Sequence, residues 1–166
     1  MVYVDYEYYL SLYGATGLDD ARFKILSYDA SKKIDRATTG VDGVKKLKVA
    51  YPTDEDDSEA VKRCACKLIE IMNSIIEAEK RVNSMKELVK RPDGTVQGKI
   101  VSSISSGSES ISYTIGNNAS LIDKVLSDKT AQERLYRDTV YEYLSGVTDE
   151  NGVNLLYMGP YPYVCK

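Results

Sequence analysis

The segment from Ser58 to Arg91 constrains this chain more than any other. Val61, Ala65, Leu68, Met72, Ile75, Val82 and Val89 recur at near-helical spacing, and Cys64, Ile71, Ile76 and Met85 widen the apolar surface. About 33 residues rising about 1.5 Å each make a rod of about 50 Å, more than a compact domain of this size needs. Glu59–Arg63, Glu77–Arg81 and Glu87–Arg91 are i,i+4 pairs in the favourable orientation. Pro92-Asp93-Gly94 then ends the helix and turns the chain. A helix this long, apolar on more than one side, is expected to touch elements beyond its own small bundle.

Two further helices flank it. Asp19 is placed to cap a helix over 20–38, in which Phe23, Leu26, Ala30, Ile34 and Ala37 trace one apolar stripe. Gly40 sits where such a helix commonly ends. Another spans 130–144, with Leu135, Tyr136, Val140, Tyr143 and Leu144 on display and Gly146 beyond its end. A short helix is suggested by Leu121, Ile122, Val125 and Leu126. Between 96 and 115 the period changes: Ile111-Ser112-Tyr113-Thr114-Ile115 alternates as a half-buried strand does, and Ile100 to Ile104 is its weaker partner. Two strands alone are marginal, so this hairpin or loop needs a partner surface. The segment 147–166 is extended, apolar, aromatic and punctuated by Pro160 and Pro162. It either packs along its own domain or docks on a partner. The fold class is therefore mainly α: a small helical bundle with one long central helix and an inserted β-hairpin or extended loop, forming a single domain over 1–166.

Composition narrows the chemistry. Among 166 residues there is no His and no Trp, one Phe and 14 Tyr. Without His, no Ser-His-Asp or Cys-His site can form within the chain, and no imidazole can ligate zinc. The three Cys do not supply a four-thiolate site, and Cys64 and Cys66, two apart on a helix, point in nearly opposite directions. The odd thiol count suggests a reducing compartment. Asp54-x-Asp56-x-Ser58 opens like a calcium loop, but Glu59 stands where the turn glycine belongs and Ala65 where the bidentate Glu belongs. Carboxylates opening a helix explain that run better. Gly14-Ala15-Thr16-Gly17 is too short for a phosphate loop, and the lysines Lys45, Lys46 and Lys48 read as a solvated loop. The formal charge of −3 argues against a strong sequence-independent grip on nucleic acid. No apolar run approaches a membrane span, and the first residues lack the pattern of a signal peptide.

Four segments, taken in order, point to a known family. They are Tyr8-Tyr9-Leu10 followed by a glycine turn and a helix ending Ile34-Asp35-Arg36-Ala37-Thr38; Val61-Lys62-Arg63-Cys64-Ala65-Cys66; Gly98-Lys99-Ile100-Val101-Ser102-Ser103-Ile104 leading to Ser110-Ile111-Ser112-Tyr113; and Tyr143-Leu144-Ser145-Gly146 followed by Leu155-Leu156-Tyr157-Met158-Gly159. Together they resemble the head-tail connector (adaptor, or head-completion) proteins of long-tailed bacteriophages and Gram-positive prophages. In the family pattern Leu-Leu-Tyr closely follows the Tyr-Leu segment, whereas here Val147 to Asn154 intervenes, and the position of Met158 is often basic.

The resemblance implies a non-enzymatic structural virion protein, made in the bacterial host cytoplasm, without cofactor, metal or membrane contact. Its copies would form a ring, typically dodecameric, between the portal protein and the next neck or tail-completion protein. Packaged DNA would pass through the lumen without sequence-specific contact, an acidic or neutral wall letting phosphates slide. Candidate interface residues are Tyr3, Tyr6 and Tyr9 near the start, Ile104, Ile111 and Tyr113 in the hairpin, and Leu155, Leu156, Tyr157, Tyr161 and Tyr163 in the tail. Tyr28 and Tyr136 are expected in the core. Another neck or tail-completion ring protein fits the same features. An all-α nucleotide pyrophosphohydrolase fits less well, since Glu70, Glu77 and Glu79 do not reproduce its magnesium-binding spacing, and a coiled-coil DNA regulator lacks a basic recognition helix.

Overall fold

Asp19 caps its helix as its position predicts: the carboxylate accepts from the Arg22 amide at 2.6 Å, and helix α2 runs Asp20–Ala37. A computed structural model describes residues 1–14, 18–84, 86–90, 96–105, 110–113 and 128–162, with side-chain surroundings described over 1–14, 18–80 and 128–162. The chain divides into two compact units, Met1–Asn73 with Gln132–Lys166, and Ser74–Ala131.

In the first unit, α1 (Tyr6–Tyr13) is capped by Asp5, whose carboxylate accepts from the Tyr8 amide at 2.7 Å. α2 buries Phe23, Leu26, Ala30 and Ile34, and with them the small hydroxyls Ser27 and Ser31. The Ser31 hydroxyl donates back to the Ser27 carbonyl at 2.7 Å, so it enters the core with its proton satisfied. A one-turn helix α3 (Lys46–Val49) follows. The long helix α4 (Glu55–Ser84) begins earlier than its apolar pattern suggests, because Asp54 accepts from the amides of Asp56 and Asp57 at 3.0 and 3.1 Å. Its Val61, Cys64, Ala65, Cys66, Leu68, Ile69, Met72 and Ile75 are buried. The helix Lys129–Leu144, here α5, places Tyr136, Thr139, Val140 and Leu144 in this core. Lys33 joins α2 to α5: its ammonium lies 4.0 Å from the Tyr136 ring centroid and 2.8 Å from Glu133 Oε1.

The scarcity of Phe is met by tyrosine. Tyr9 is fully buried, with ring centroids 5.3 Å from Phe23 and 5.4 Å from Tyr13, while Tyr6 lies 5.1 Å from Phe23. Each buried hydroxyl then needs a partner. Tyr9 donates to Glu70 on α4, and Tyr6 to the Leu18 carbonyl at 2.6 Å.

In the second unit the backbone pairs into three antiparallel strands, β1 (Lys86–Lys90), β2 (Val96–Ser105) and β3 (Ser110–Tyr113), in the order β1-β2-β3. Lys86 is opposite Ile100 and Lys90 opposite Val96, and Ile104 is opposite Ile111, with a register irregularity between Val101 and Ser103. This corrects the helix expected to Arg91. Local helix propensity over 86–90 yields to ladder hydrogen bonds with β2, so Glu87 stands in a strand, and its expected partner Arg91 lies outside the described residues. Arg81 as a partner for Glu77 lies outside the described side chains, and Glu77 pairs with Lys80 at 3.1 Å. Glu59–Arg63 forms as its spacing suggests, at 2.8 Å. The short helix suggested at 121–126 lies outside the described residues. No helix among the described residues is long and apolar enough to cross a membrane.

Candidate interaction surface: a C-terminal arm and its seat

The question left open by the sequence, whether the apolar tail packs at home, is decided by Lys46. This lysine was expected in a solvated loop and is instead fully buried on α3. Its ammonium donates to the Leu155 carbonyl at 2.9 Å and to the Tyr157 carbonyl, and lies 5.7 Å from the Tyr157 ring centroid. Burial pulls the Lys46 ammonium below its ordinary pKa, while the charges of Asp149 and Asp42 partly restore it. Three more contacts fasten the same segment. The Val41 amide donates to the Met158 carbonyl at 3.1 Å, the Tyr161 amide donates to Asp42 Oδ2 at 2.6 Å, and Asp57 Oδ2 accepts from the amide and hydroxyl of Thr148 at 2.9 and 2.8 Å. The Tyr161 and Val44 amides hold the Asp42 carboxyl below its usual range. Gly40 lets the backbones meet: a Cβ there would stand 2.8 Å from the Gly159 carbonyl oxygen.

The arm is also bonded within itself. Asp149 Oδ1 accepts from the amides of Asn151 and Val153, both at 2.9 Å, and Thr148 and Asn154 form an antiparallel bridge. The Leu155 amide returns to the Val147 carbonyl at 2.9 Å. Tyr161 folds back onto this turn: its hydroxyl donates to Asp149 Oδ2 at 2.6 Å and accepts from the Asn151 amide group at 3.0 Å.

The start of the chain is held by neighbouring residues. Tyr3 is buried, stacked on Tyr51 with centroids 6.1 Å apart; its amide donates to Ser31 Oγ at 3.2 Å and its hydroxyl to Asp35. Lys48, two positions beyond Lys46, reaches the same Asp35 at 3.5 Å. One turn of helix therefore supports both terminal segments. Tyr3 is pushed above its ordinary value of 10.0, first by burial and then by its bond to Asp35 and that residue's charge; Tyr51 is raised by burial as well. The folded chain thus keeps phenolic protons that the unfolded chain loses, so this stabilisation is complete below pH ~10 and declines as pH rises beyond it. Lys46, whose folded pKa is lowered, acts in the opposite direction just below its ordinary 10.5. The alkaline fall in urea midpoint is expected to be smaller in Tyr3→Phe than in the native chain, and parallel curves across that range would refute the assignment.

The interface residues expected from sequence separate into classes. Tyr3, Tyr9, Leu155 and Tyr161 are buried within the folded chain: each apolar side chain buries its area here and each buried hydroxyl finds a partner. Tyr6 and Leu156 are half-buried. Ile104, Ile111 and Tyr113 lie on paired strands of the second unit, and Tyr163 lies outside the described residues. Tyr157 is 48% exposed, beside Met158 at 48% and Val41 at 76%. Tyr136 is in the core as expected; Tyr28 is not, because it stands off the buried stripe of α2, 49% exposed next to Ile25 at 64%. The sequence offers no signal for Asp42 and Val41 and suggests only a solvated role for Lys46, since nothing in the order Val41 to Lys48 distinguishes a buried lysine from a solvated one. Cys64 and Cys66 are free and buried, and burial raises both thiols to about 12. Among the described residues no group of three His, Cys, Asp or Glu side chains could hold a metal ion. Compared with models of protein families, with curated proteins and with solved structures, the chain gives no significant match.

Proposed function

We propose that this chain is a structural subunit of the head-tail connector kind, forming a ring between portal and tail that extends the DNA channel and completes the head for tail attachment. The observation that carries the reading is that exposed apolar residues on the first unit include two unlike sets. One is Ile25 and Tyr28 on the outer side of α2; the other is Val41, Tyr157 and Met158, where the arm crosses the loop beyond that helix. Tyr28 and the end of α2 at Ala37 are about 14 Å apart along the helix axis at about 1.5 Å per residue. A subunit that meets its neighbours through two different patches associates head to tail, and such contacts close into rings when the rotation permits. The particular assembly is suggested by the resemblance of the four ordered segments to connector proteins.

Quantitative mass spectrometry of purified phage particles tests this. The chain is expected at a fixed ratio to the portal protein, and particles lacking it are expected as filled or leaking heads without tails. Absence from particles would overturn the proposal. Cross-links to a tail subunit and none to the portal would assign it to tail completion instead.

A further inference from the structure

We infer that residues 147–162 form an exchangeable arm, able to take the seat at residues 40–57 of a second copy of this chain. The inference deepens the ring reading by naming the occupant of one of its contacts, and it rests on that reading only for its biological setting.

Three observations support it. First, the arm is a self-contained unit. Asp149, Asn151 and Tyr161 bond to one another, the bridge between Thr148 and Asn154 closes its turn, and the Leu155 amide returns to Val147. These contacts travel with the arm wherever it sits. Second, apart from the Val147 amide, which donates to the Leu144 carbonyl at 3.2 Å across the joint, its described hydrogen bonds to the body fall on four residues, Val41, Asp42, Lys46 and Asp57, all at least 91 positions away in sequence. Lys46 and Val41 address backbone carbonyls, which any copy of the arm presents alike. Contacts of this kind are reproduced between chains without new chemistry, the condition for exchange of an identical element.

Third, the joint is narrow and unobstructed. α5 ends at Leu144, and the link is Ser145-Gly146. Gly146 has φ +87°, and a Cβ placed there would meet no atom within 4 Å. A change of φ and ψ at a glycine redirects the arm at little steric cost. Seated at home, the arm still leaves Tyr157 and Met158 half exposed beside Val41, apolar area that a neighbouring chain could cover.

Disulfide trapping between separately marked chains tests the exchange. Val41→Cys and Met158→Cys are introduced into different chains, one lengthened by a tag, each also carrying Cys165→Ser; both sites are exposed, so folding is preserved. The chains are mixed at high concentration and oxidised slowly. A chain carrying both cysteines should close on itself, which confirms the seat. In the mixture, the disulfide-linked mixed pair is expected at roughly tenfold excess over either identical pair, because seating gives the two thiols a high effective concentration. Mixed and identical pairs in the proportions of random collision, or no pairs while the double variant closes internally, would overturn exchange. A trapped mixed pair from a chain absent from phage particles would sustain the exchange and overturn the connector reading, so the two failures are distinguishable.

Discussion

Tyr9→Ala is expected to destabilise the chain by about 4 kcal/mol, the range for removing a large aromatic side chain from a packed core. Tyr9 is fully buried, its ring wedged among Phe23, Tyr6 and Tyr13. Its hydroxyl reaches Glu70, which links α1 to the middle of α4. Tyr9→Phe keeps the ring and loses only the hydrogen bond, and should cost about 1 kcal/mol. The ratio of the two separates packing from polarity, and urea midpoints with unchanged slopes measure both. Were Tyr9 an interface residue whose burial occurs only on assembly, Tyr9→Ala would leave the isolated chain near native stability. A shift below about 1 kcal/mol would therefore refute the core assignment.

Lys46→Ala is expected to cost about 3 kcal/mol, and its effect should be local before it is global. The substitution removes the aliphatic stem from the interior and leaves two carbonyls, of Leu155 and Tyr157, without their donor. Part of the loss is returned because a buried ammonium no longer has to be desolvated, which is why the figure does not rise further. Amide exchange should show the consequence directly. Protection at Leu155, Tyr157 and Tyr161 should fall before that of α2 or α4, since the arm opens as a unit about Gly146. Lys46→Arg does not rescue: a planar guanidinium in a site shaped for a compact ammonium overpacks it. Equal loss of protection along the whole first unit would show that Lys46 supports the core at large and not the arm.

Part of this was legible in the residue order. The 3.6-residue period locates the bodies of α2, α4 and α5, and the Asp19 cap the start of α2, because helix formation is mostly local: Asp19 finds the Arg22 amide without help from distant residues. The buried stripe of Phe23, Leu26, Ala30 and Ile34 follows from the same period. Where α4 stops was not legible. Residues 86–90 are as good a helix as a strand on their own, and the pairing partner that decides between them lies further along the chain, at 96–100.

The candidate surface shows the same division more sharply. The order of residues by itself determined the helical character of the chain, the exclusion of histidine chemistry, and a tail too apolar to remain in water. Only the tertiary structure decided where that tail goes. The anchor is a lysine 109 positions from Leu155, and a lysine is placed in an interior only when carbonyl oxygens arrive from elsewhere to satisfy it. No local pattern encodes that meeting. It likewise took the folded chain to move Tyr3, Tyr9, Leu155 and Tyr161 inward and leave Val41, Tyr157 and Met158 in solvent, because which tyrosine is covered depends on which distant backbone lies over it.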